Sequence, residues 1–125
     1  MADEHIVETY LDQLGYHYAL VAYGMWKVKS DAVENIIVSY APPLLVLRLK
    51  VAAVPAGKDL TRLYEQLLRA NTELTHGAFA LENNYIVIVD SLEADSLDPN
   101  ELASSIEAVS FAAATMFPKL KNLLK

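Results

Sequence analysis

Cysteine is absent from this sequence, and glycine and proline are scarce, with four and five among 125 residues. The absence of cysteine excludes disulfide bonds, thiolate metal sites and a cysteine nucleophile. The few glycines and prolines are scattered along the chain, so the sequence has neither a glycine-rich phosphate loop nor a flexible linker. We therefore expect a single domain over residues 1–125.

Positive charge is also in short supply. Lysine and arginine number 10 against 16 aspartates and glutamates, which gives a formal net charge of −6. An acidic surface repels phosphate backbones and anionic lipid headgroups, so we expect neither a nucleic acid nor a membrane among the partners. No apolar run reaches the roughly 18 residues of a membrane span, and Met1–Glu4 lacks the basic start of a secretion signal. These features predict a cytoplasmic protein.

Hydrophobic residues are plentiful at 54%, which excludes disorder and favours a packed core. Apolar residues recur with helical spacing over 4–14, 58–74 and 99–117, and this periodicity predicts three helices. Gly15 follows the first segment and Asp98 precedes a proline at the start of the last, as capping residues do. The stripe of the last helix that should face the core consists of Leu102, Ile106, Val109, Ala113, Met116 and Leu120.

Period-two alternation or β-branched runs predict strands in five segments, namely 16–28, 36–38, 44–51, 78–81 and 85–89. Pro42-Pro43 and Glu82-Asn83-Asn84 are suited to the turns between neighbouring strands. Three strands joined by short turns must be antiparallel neighbours. The predicted fold class is therefore α+β, with an antiparallel five-stranded sheet and three helices in the order α-β-β-β-α-β-β-α.

Few residues are suited to catalysis or metal binding. The histidines, His5, His17 and His76, lack the spacing of a helical metal site, and the acidic stretch 90–101 lacks the glycine that a calcium loop needs. There is no nucleophile elbow either. We expect no catalytic residue, no metal and no cofactor. The alternative from a different class is a small-molecule-sensing or enzymatic α+β domain with a pocket near His76 and Glu82.

Four basic residues fall on predicted strands where they could line one surface of the sheet: Lys27, Lys29, Arg48 and Lys50. Because the chain has an acidic excess elsewhere, this pattern is typical of a solvated face and not of a nucleic-acid site. We expect these side chains to remain in contact with water.

The sequence predicts more apolar surface than one copy of the chain can easily cover. Phe111 projects roughly 140° from Ile106 at about 100° per residue, and residues 112–114 are alanines that allow close approach. Both faces of segment 16–28 are also apolar. Exposed apolar patches mark interaction sites, so this surplus indicates protein binding. The rival explanation is that the same residues fill one large core in a monomeric structural domain.

Several short strings, together with the order of the elements, carry a family resemblance. They are Tyr10-Leu11 with Gly15-Tyr16, Leu67-Leu68-Arg69-Ala70-Asn71, Gly77-Ala78-Phe79-Ala80-Leu81, Tyr85-Ile86-Val87, Asp98-Pro99-Asn100-Glu101-Leu102 and the ending Phe117-Pro118-Lys119-Leu120. On these strings the chain resembles the YbjN-like proteins and the type III secretion chaperones of the CesT type, which share a fold. The resemblance covers roughly residues 6–120.

The resemblance implies a bacterial protein without enzymatic activity that forms a homodimer. In the secretion chaperones the second helix and adjacent strands build the dimer. By position, this places in the dimer interface Leu63, Tyr64, Leu67 and Leu68. Phe111 is added to that interface because it lies off the core stripe of the last helix.

The resemblance also implies that the protein holds an unidentified partner polypeptide along hydrophobic grooves. In the secretion chaperones the first helix and the sheet contact an extended client segment. The matching positions here are Tyr10, Val21, Tyr23 and Met25. Methionine and tyrosine suit this role because they make adaptable contact surfaces. The identity of the client, the involvement of a secretion system, and which apolar face serves which partner all stay open.

Overall fold

A computed structural model describes residues 4–125. Its helices and strands follow the chain as α1 (Glu4–Leu14), β1 (His17–Ala22), β2 (Met25–Lys29), β3 (Ile36–Ala41), β4 (Leu44–Ala53), α2 (Thr61–Ala70), β5 (Ala78–Glu82), β6 (Tyr85–Glu93) and α3 (Pro99–Leu120). A short 3-10 helix, Asn71–Glu73, extends α2. The strands form one sheet in the order β1-β2-β3-β4-β6-β5, and every neighbouring pair is antiparallel. β1 and β5 are therefore its edge strands.

The sheet has six strands where the sequence predicted five, because segment 16–28 is a hairpin and not a single strand. The chain reverses at Tyr23-Gly24. Gly24 has a φ of 67°, which suits glycine, and its carbonyl accepts a hydrogen bond from the Tyr40 amide at 2.7 Å. Apolar residues occupy both faces of the segment, so the alternation runs through the turn and hides it. The α+β class and the antiparallel sheet with three α-helices are confirmed.

One hydrophobic core lies between the helices and one face of the sheet. The stripe of α3 is buried as predicted, with Met116 half-buried at its margin. Burying a large apolar side chain contributes about 1.5–3 kcal/mol. The strand residues that point into the core alternate along each strand, and the most buried of them are Trp26, Val28, Ile36, Val38, Leu45, Leu47, Leu49, Ile86 and Ile88.

The opposite side of the sheet, which we call the open face, carries the residues that alternate with the buried ones. The pairing register places on it Met25, Lys27, Lys29, Ile37, Ser39, Val46, Arg48, Lys50 and Val89, which are exposed or half-buried, together with Val87, which is only 1% exposed. The four basic residues that the sequence assigned to one surface of the sheet do share this face, and all four are exposed.

Hydrogen bonds fasten α1 to the first hairpin. The Trp26 indole Nε1 donates to Glu8 Oε2 at 2.8 Å, and the Tyr18 hydroxyl donates to Asp12 Oδ1 at 2.8 Å. Trp26 is only 1% exposed, so its N–H needs an acceptor within the protein. The two bonds fix the hairpin relative to α1.

The start of α3 follows the capping signal in the sequence. Asp98 has an extended backbone, its Oδ1 accepts a hydrogen bond from the Glu101 amide at 2.8 Å, and Pro99 begins the helix. A cap of this kind satisfies an amide that helix geometry leaves without a partner. The cap therefore stabilises the first turn of the longest helix in the described chain.

Asp98→Ala should lower the free energy of unfolding by about 1 kcal/mol, because the Glu101 amide loses its acceptor. Asp95→Ala is the matched control, since Asp95 is exposed and caps no helix. Urea denaturation followed by circular dichroism measures both variants. Equal stabilities of the two variants would contradict a stabilising role for the cap.

Candidate functional site

Apolar side chains are uncovered on the first hairpin, at one edge of the sheet. Leu20 is 60% exposed, Val21 49% and Tyr23 90%, and we call these residues the hairpin surface. In the described part of the chain, β1 pairs with β2 alone. The outer margin of β1 therefore presents backbone amides and carbonyls next to apolar side chains.

Tyr23 lies close to the first turn of α1. The charge of Glu4, and a hydrogen bond between the two side chains, raise the pKa of the Tyr23 phenol. This interaction holds the hydroxyl while the ring stays in water. The exposed ring is thus oriented by α1 and does not belong to the core.

A second apolar surface lies at the opposite edge of the sheet, where α2 passes β5. The groove between them has a volume of about 340 Å³. Leu68 and Leu81 are its most exposed large side chains, at 70% and 49%. We call it the α2–β5 groove, and it is lined by Tyr64, Leu67, Leu68, Asn71, Phe79, Ala80 and Leu81.

Asn71 covers part of the β5 edge within this groove. Its Oδ1 accepts a hydrogen bond from the Phe79 amide at 2.7 Å, and its Nδ2 donates to the Phe79 carbonyl at 3.3 Å. The side-chain amide thus takes the place of a neighbouring strand at Phe79. Since outward backbone groups alternate along an antiparallel strand, the next outward pair on β5 belongs to Leu81. A partner that binds at this edge must therefore contact side chains, because Asn71 prevents it from forming a continuous ladder of backbone hydrogen bonds with β5.

Phe111 stands on the outer side of α3 and is 71% exposed. It rims a hollow of about 200 Å³ that also includes Leu74, His76 and Met116. Phe79 lines both this hollow and the α2–β5 groove. Phe111 is therefore connected to the groove through a shared buried ring.

The residues of the enzymatic alternative do not come together. The His76 Nδ1 is 4.0 Å from Asp90 Oδ2, and the fully buried Ser105 hydroxyl donates to the same oxygen at 2.6 Å. The carboxylate stands between the serine and the histidine, so the histidine has no hydrogen bond through which to activate the serine. Glu82 forms an ion pair with Arg48 at 3.0 Å on the open face, on the other side of the sheet.

Residues 4–125 contain no group of three histidine, aspartate or glutamate side chains that could hold a metal ion. No helix in that range is both long enough and apolar enough to cross a membrane.

The model of one protein family, CesT_Tir_1, matches residues 2–125, which is nearly the whole chain. The chain belongs to the CesT_Tir_1 family. No curated protein matches the sequence. The resemblance that the sequence strings carry is thereby confirmed at the level of the family.

Solved structures share the fold of this CesT_Tir_1 chain. YbjN from E. coli has a TM-score of 0.68 at 13% identity, over 91% of this chain and 90% of that one. The type III secretion chaperone SycH from Yersinia pestis, in complex with a fragment of YscM2, gives 0.65 at 18% identity, over 90% and 97%. A chain of the heterodimeric ExoU–SpcU complex, from the type III secretion system of Pseudomonas aeruginosa, gives 0.64 at 16% identity, over 90% and 95%.

The residues that the sequence assigned to a dimer fall in different environments in this CesT_Tir_1 chain. Tyr64 and Leu68 line the α2–β5 groove, and Phe111 rims a separate hollow that shares Phe79 with it. Leu67 also lines the groove but is only 6% exposed, and Leu63, at 2%, belongs to the core and not to the groove lining. The sequence missed Leu81 and Asn71, because nothing in a helical or strand pattern says that the end of α2 meets β5.

The residues assigned to a client do not share one surface. Val21 and Tyr23 belong to the hairpin surface, together with Leu20, which the sequence analysis did not single out. Met25 is half-buried on the open face. Tyr10 is half-buried in α1 and its hydroxyl donates to the Leu97 carbonyl at 3.3 Å. The hairpin surface is thus the one place where two of the four residues lie together.

The contact between Tyr18 and Asp12, which holds the hairpin against α1, depends on pH. The hydrogen bond to Asp12 raises the pKa of Tyr18 to about 12, with burial and the charges of Asp12 and Glu8 adding to the effect. A phenol with a raised pKa keeps its proton to a higher pH in the folded chain than in the unfolded chain. Its stabilisation is therefore complete below a pH of about 10 and is lost between about 10 and 12.

Tyr18→Phe should reduce the fall in stability over this alkaline range, because the variant has no phenol there to ionise. Tyr85→Phe is the control, since the Tyr85 ring lies beside Lys50, away from α1. The measurement is urea denaturation at a series of alkaline pH values. If both variants show the same slope of stability against pH, the Tyr18–Asp12 contact does not carry the effect.

Proposed function

We propose that this chain is a single-domain, non-enzymatic and cytoplasmic protein-binding module that acts as a homodimer, with a chaperone-like role toward another polypeptide. One observation carries the proposal: Tyr23, Leu68 and Phe111 are 90%, 70% and 71% exposed although the core beneath them is complete. Large apolar groups in water are stabilised when a partner covers them.

The dimer forms through the α2–β5 groove and Phe111. A twofold axis sets the same surface of one copy against that of the other, so the surface must be complementary to itself. The α2–β5 groove meets this condition, because its protruding leucines can enter the hollow of the partner copy. Leu68 and Leu81 protrude, while Tyr64 and Phe79 form the walls. Asn71 occupies the backbone groups of Phe79 at the edge of the sheet, so the two copies contact each other through side chains and not through paired strands.

The client binds at the hairpin surface on the opposite edge of the sheet. An extended segment can add to the outer margin of β1 by main-chain hydrogen bonds and can cover Leu20, Val21 and Tyr23 with alternate side chains. Two structural relatives support a client of this kind, because each is a secretion-system complex that contains a partner polypeptide. The dimer and the client then use different edges of the sheet.

Leu68→Glu should convert the dimer to a monomer with unchanged secondary structure, because Leu68 is exposed and a charge in the groove would face its own copy across the twofold axis. Leu20→Glu is the matched control, an equally drastic change at the other edge of the sheet. Leu67→Glu is unsuitable, since a charge at a side chain only 6% exposed would unfold the protein.

Size-exclusion chromatography with light scattering measures the masses, and circular dichroism checks the folding. The wild type and Leu20→Glu should elute as dimers and Leu68→Glu as a monomer. A wild type that stays monomeric at high concentration would refute the dimer, and a dimer that survives Leu68→Glu would refute the groove as its interface.

A photo-crosslinking amino acid in place of Tyr23 should capture another protein in the cells from which this chain comes. Lys58 is the control position, because it is exposed in the loop before α2. Mass spectrometry identifies the adducts. The absence of an adduct at Tyr23, or identical adducts from both positions, would contradict client binding at the hairpin surface.

A further inference from the structure

The open face of the sheet concentrates positive charge on an acidic protein. Four of the chain's 10 lysines and arginines project from it, although the formal net charge is −6. The register places two carboxylates, Glu82 and Glu93, on the same face, so cations outnumber anions there and the open face differs in sign from the molecule as a whole. We call Lys27, Lys29, Arg48 and Lys50 the cation grid.

The register of the strands gives the grid its dimensions. Lys27 pairs with Ile37, and Ile37 pairs with Arg48, so the two cations lie in one row with Ile37 between them. Lys29 and Lys50 lie two residues farther along their strands. Since strands are about 4.8 Å apart and two residues span about 6.8 Å, the four Cα atoms mark a rectangle of about 10 by 7 Å.

Contacts on the open face hold three of these cations in place. Arg48 Nε is 3.0 Å from Glu82 Oε2, and Lys29 Nζ is 3.6 Å from Glu34 Oε1. Lys50 Nζ is 4.2 Å from the centre of the Tyr85 ring. Lys27 forms no ion pair with any residue in the range 4–125. The four cations remain in excess over Glu34, Glu82 and Glu93 at the perimeter. The pairs with Glu34 and Glu82 show that side chains of the grid accept carboxylate partners.

One apolar side chain lies between two of the cations, and others border the grid. Ile37 separates Lys27 from Arg48, and Met25 and Val46 lie half-buried in the next row of the same face, outside the rectangle. Val89 continues the row of Arg48 on the next strand. A ligand that matches this surface needs negative charges at intervals and apolar groups among and beside them.

We propose that the open face binds an extended, acidic segment of a partner polypeptide, in which carboxylates alternate with apolar side chains. Such a segment places its carboxylates on the cations and its apolar groups on Ile37, Met25 and Val46. A second copy related by a twofold axis would set the grid against itself, so like charges exclude that occupant. A long phosphate backbone would extend beyond the grid onto the acidic remainder of the surface, whereas a short acidic segment is confined to the grid. The proposal depends neither on the α2–β5 groove nor on the hairpin surface.

The test uses the intact protein and a short fluorescent peptide of alternating glutamate and leucine, with a glutamine–leucine peptide as its neutral counterpart. Fluorescence anisotropy should show binding of the acidic peptide alone, and the affinity should fall as salt rises from about 50 to 300 mM. Lys27→Gln/Lys29→Gln/Lys50→Gln should weaken binding about tenfold, since exposed ion pairs contribute modestly and add up. Glutamine keeps much of the aliphatic stem, so the fold is preserved.

Arg62→Gln/Lys121→Gln/Lys125→Gln is the control, because it removes the same charge from positions off the open face. It should bind the acidic peptide as the wild type does. Equal weakening by both triple variants, or equal binding of the two peptides, would overturn the proposal. So would tighter binding to a short single-stranded DNA or to vesicles of anionic lipid than to the acidic peptide. Leu68→Glu should leave the peptide affinity unchanged, which separates this surface from the α2–β5 groove.

Discussion

The structure depends on a one-sided burial: the helices cover a single face of the six-stranded sheet. Trp26, Leu47 and Ile88 are sealed beneath them, with exposures of 1% or less. Because the helices are all used on that face, the strands at both edges keep an uncovered margin. The open face has no helix over it, so its exposed positions carry side chains that tolerate water, among them the four cations. The hairpin surface, the α2–β5 groove and the cation grid all follow from this arrangement.

Much of the fold could be predicted because local chemistry decides it. Asp98 before a proline fixes the start of α3, and Leu45, Leu47 and Leu49 alternate with charged or smaller residues so that only one face can be buried. The turn at Gly24 could not be predicted in the same way. Its flanking residues are apolar on both faces, so a continuous strand and a hairpin have the same pattern.

The sequence predicts which kinds of residue form the candidate surfaces better than it predicts where those residues lie in the fold. Phe111 stands off the core stripe of its helix, and the structure leaves it exposed. On α2, by contrast, spacing alone groups Leu67 with Leu68, although one is buried and the other is 70% exposed. Which of two adjacent leucines faces the core depends on how α2 packs against β5, and that contact is between distant parts of the chain. The cation grid likewise needs the strand order before its members become neighbours.

The bond between Asn71 and the backbone of Phe79 has a consequence for the size of any assembly. A sheet whose two margins are both free can join other sheets without end, and the result is a fibre. Here the amide of one asparagine interrupts the ladder of β5 at the second residue of that strand. Of the two margins, β1 alone therefore keeps an uninterrupted ladder, and addition of strands cannot run on through β5 at Phe79.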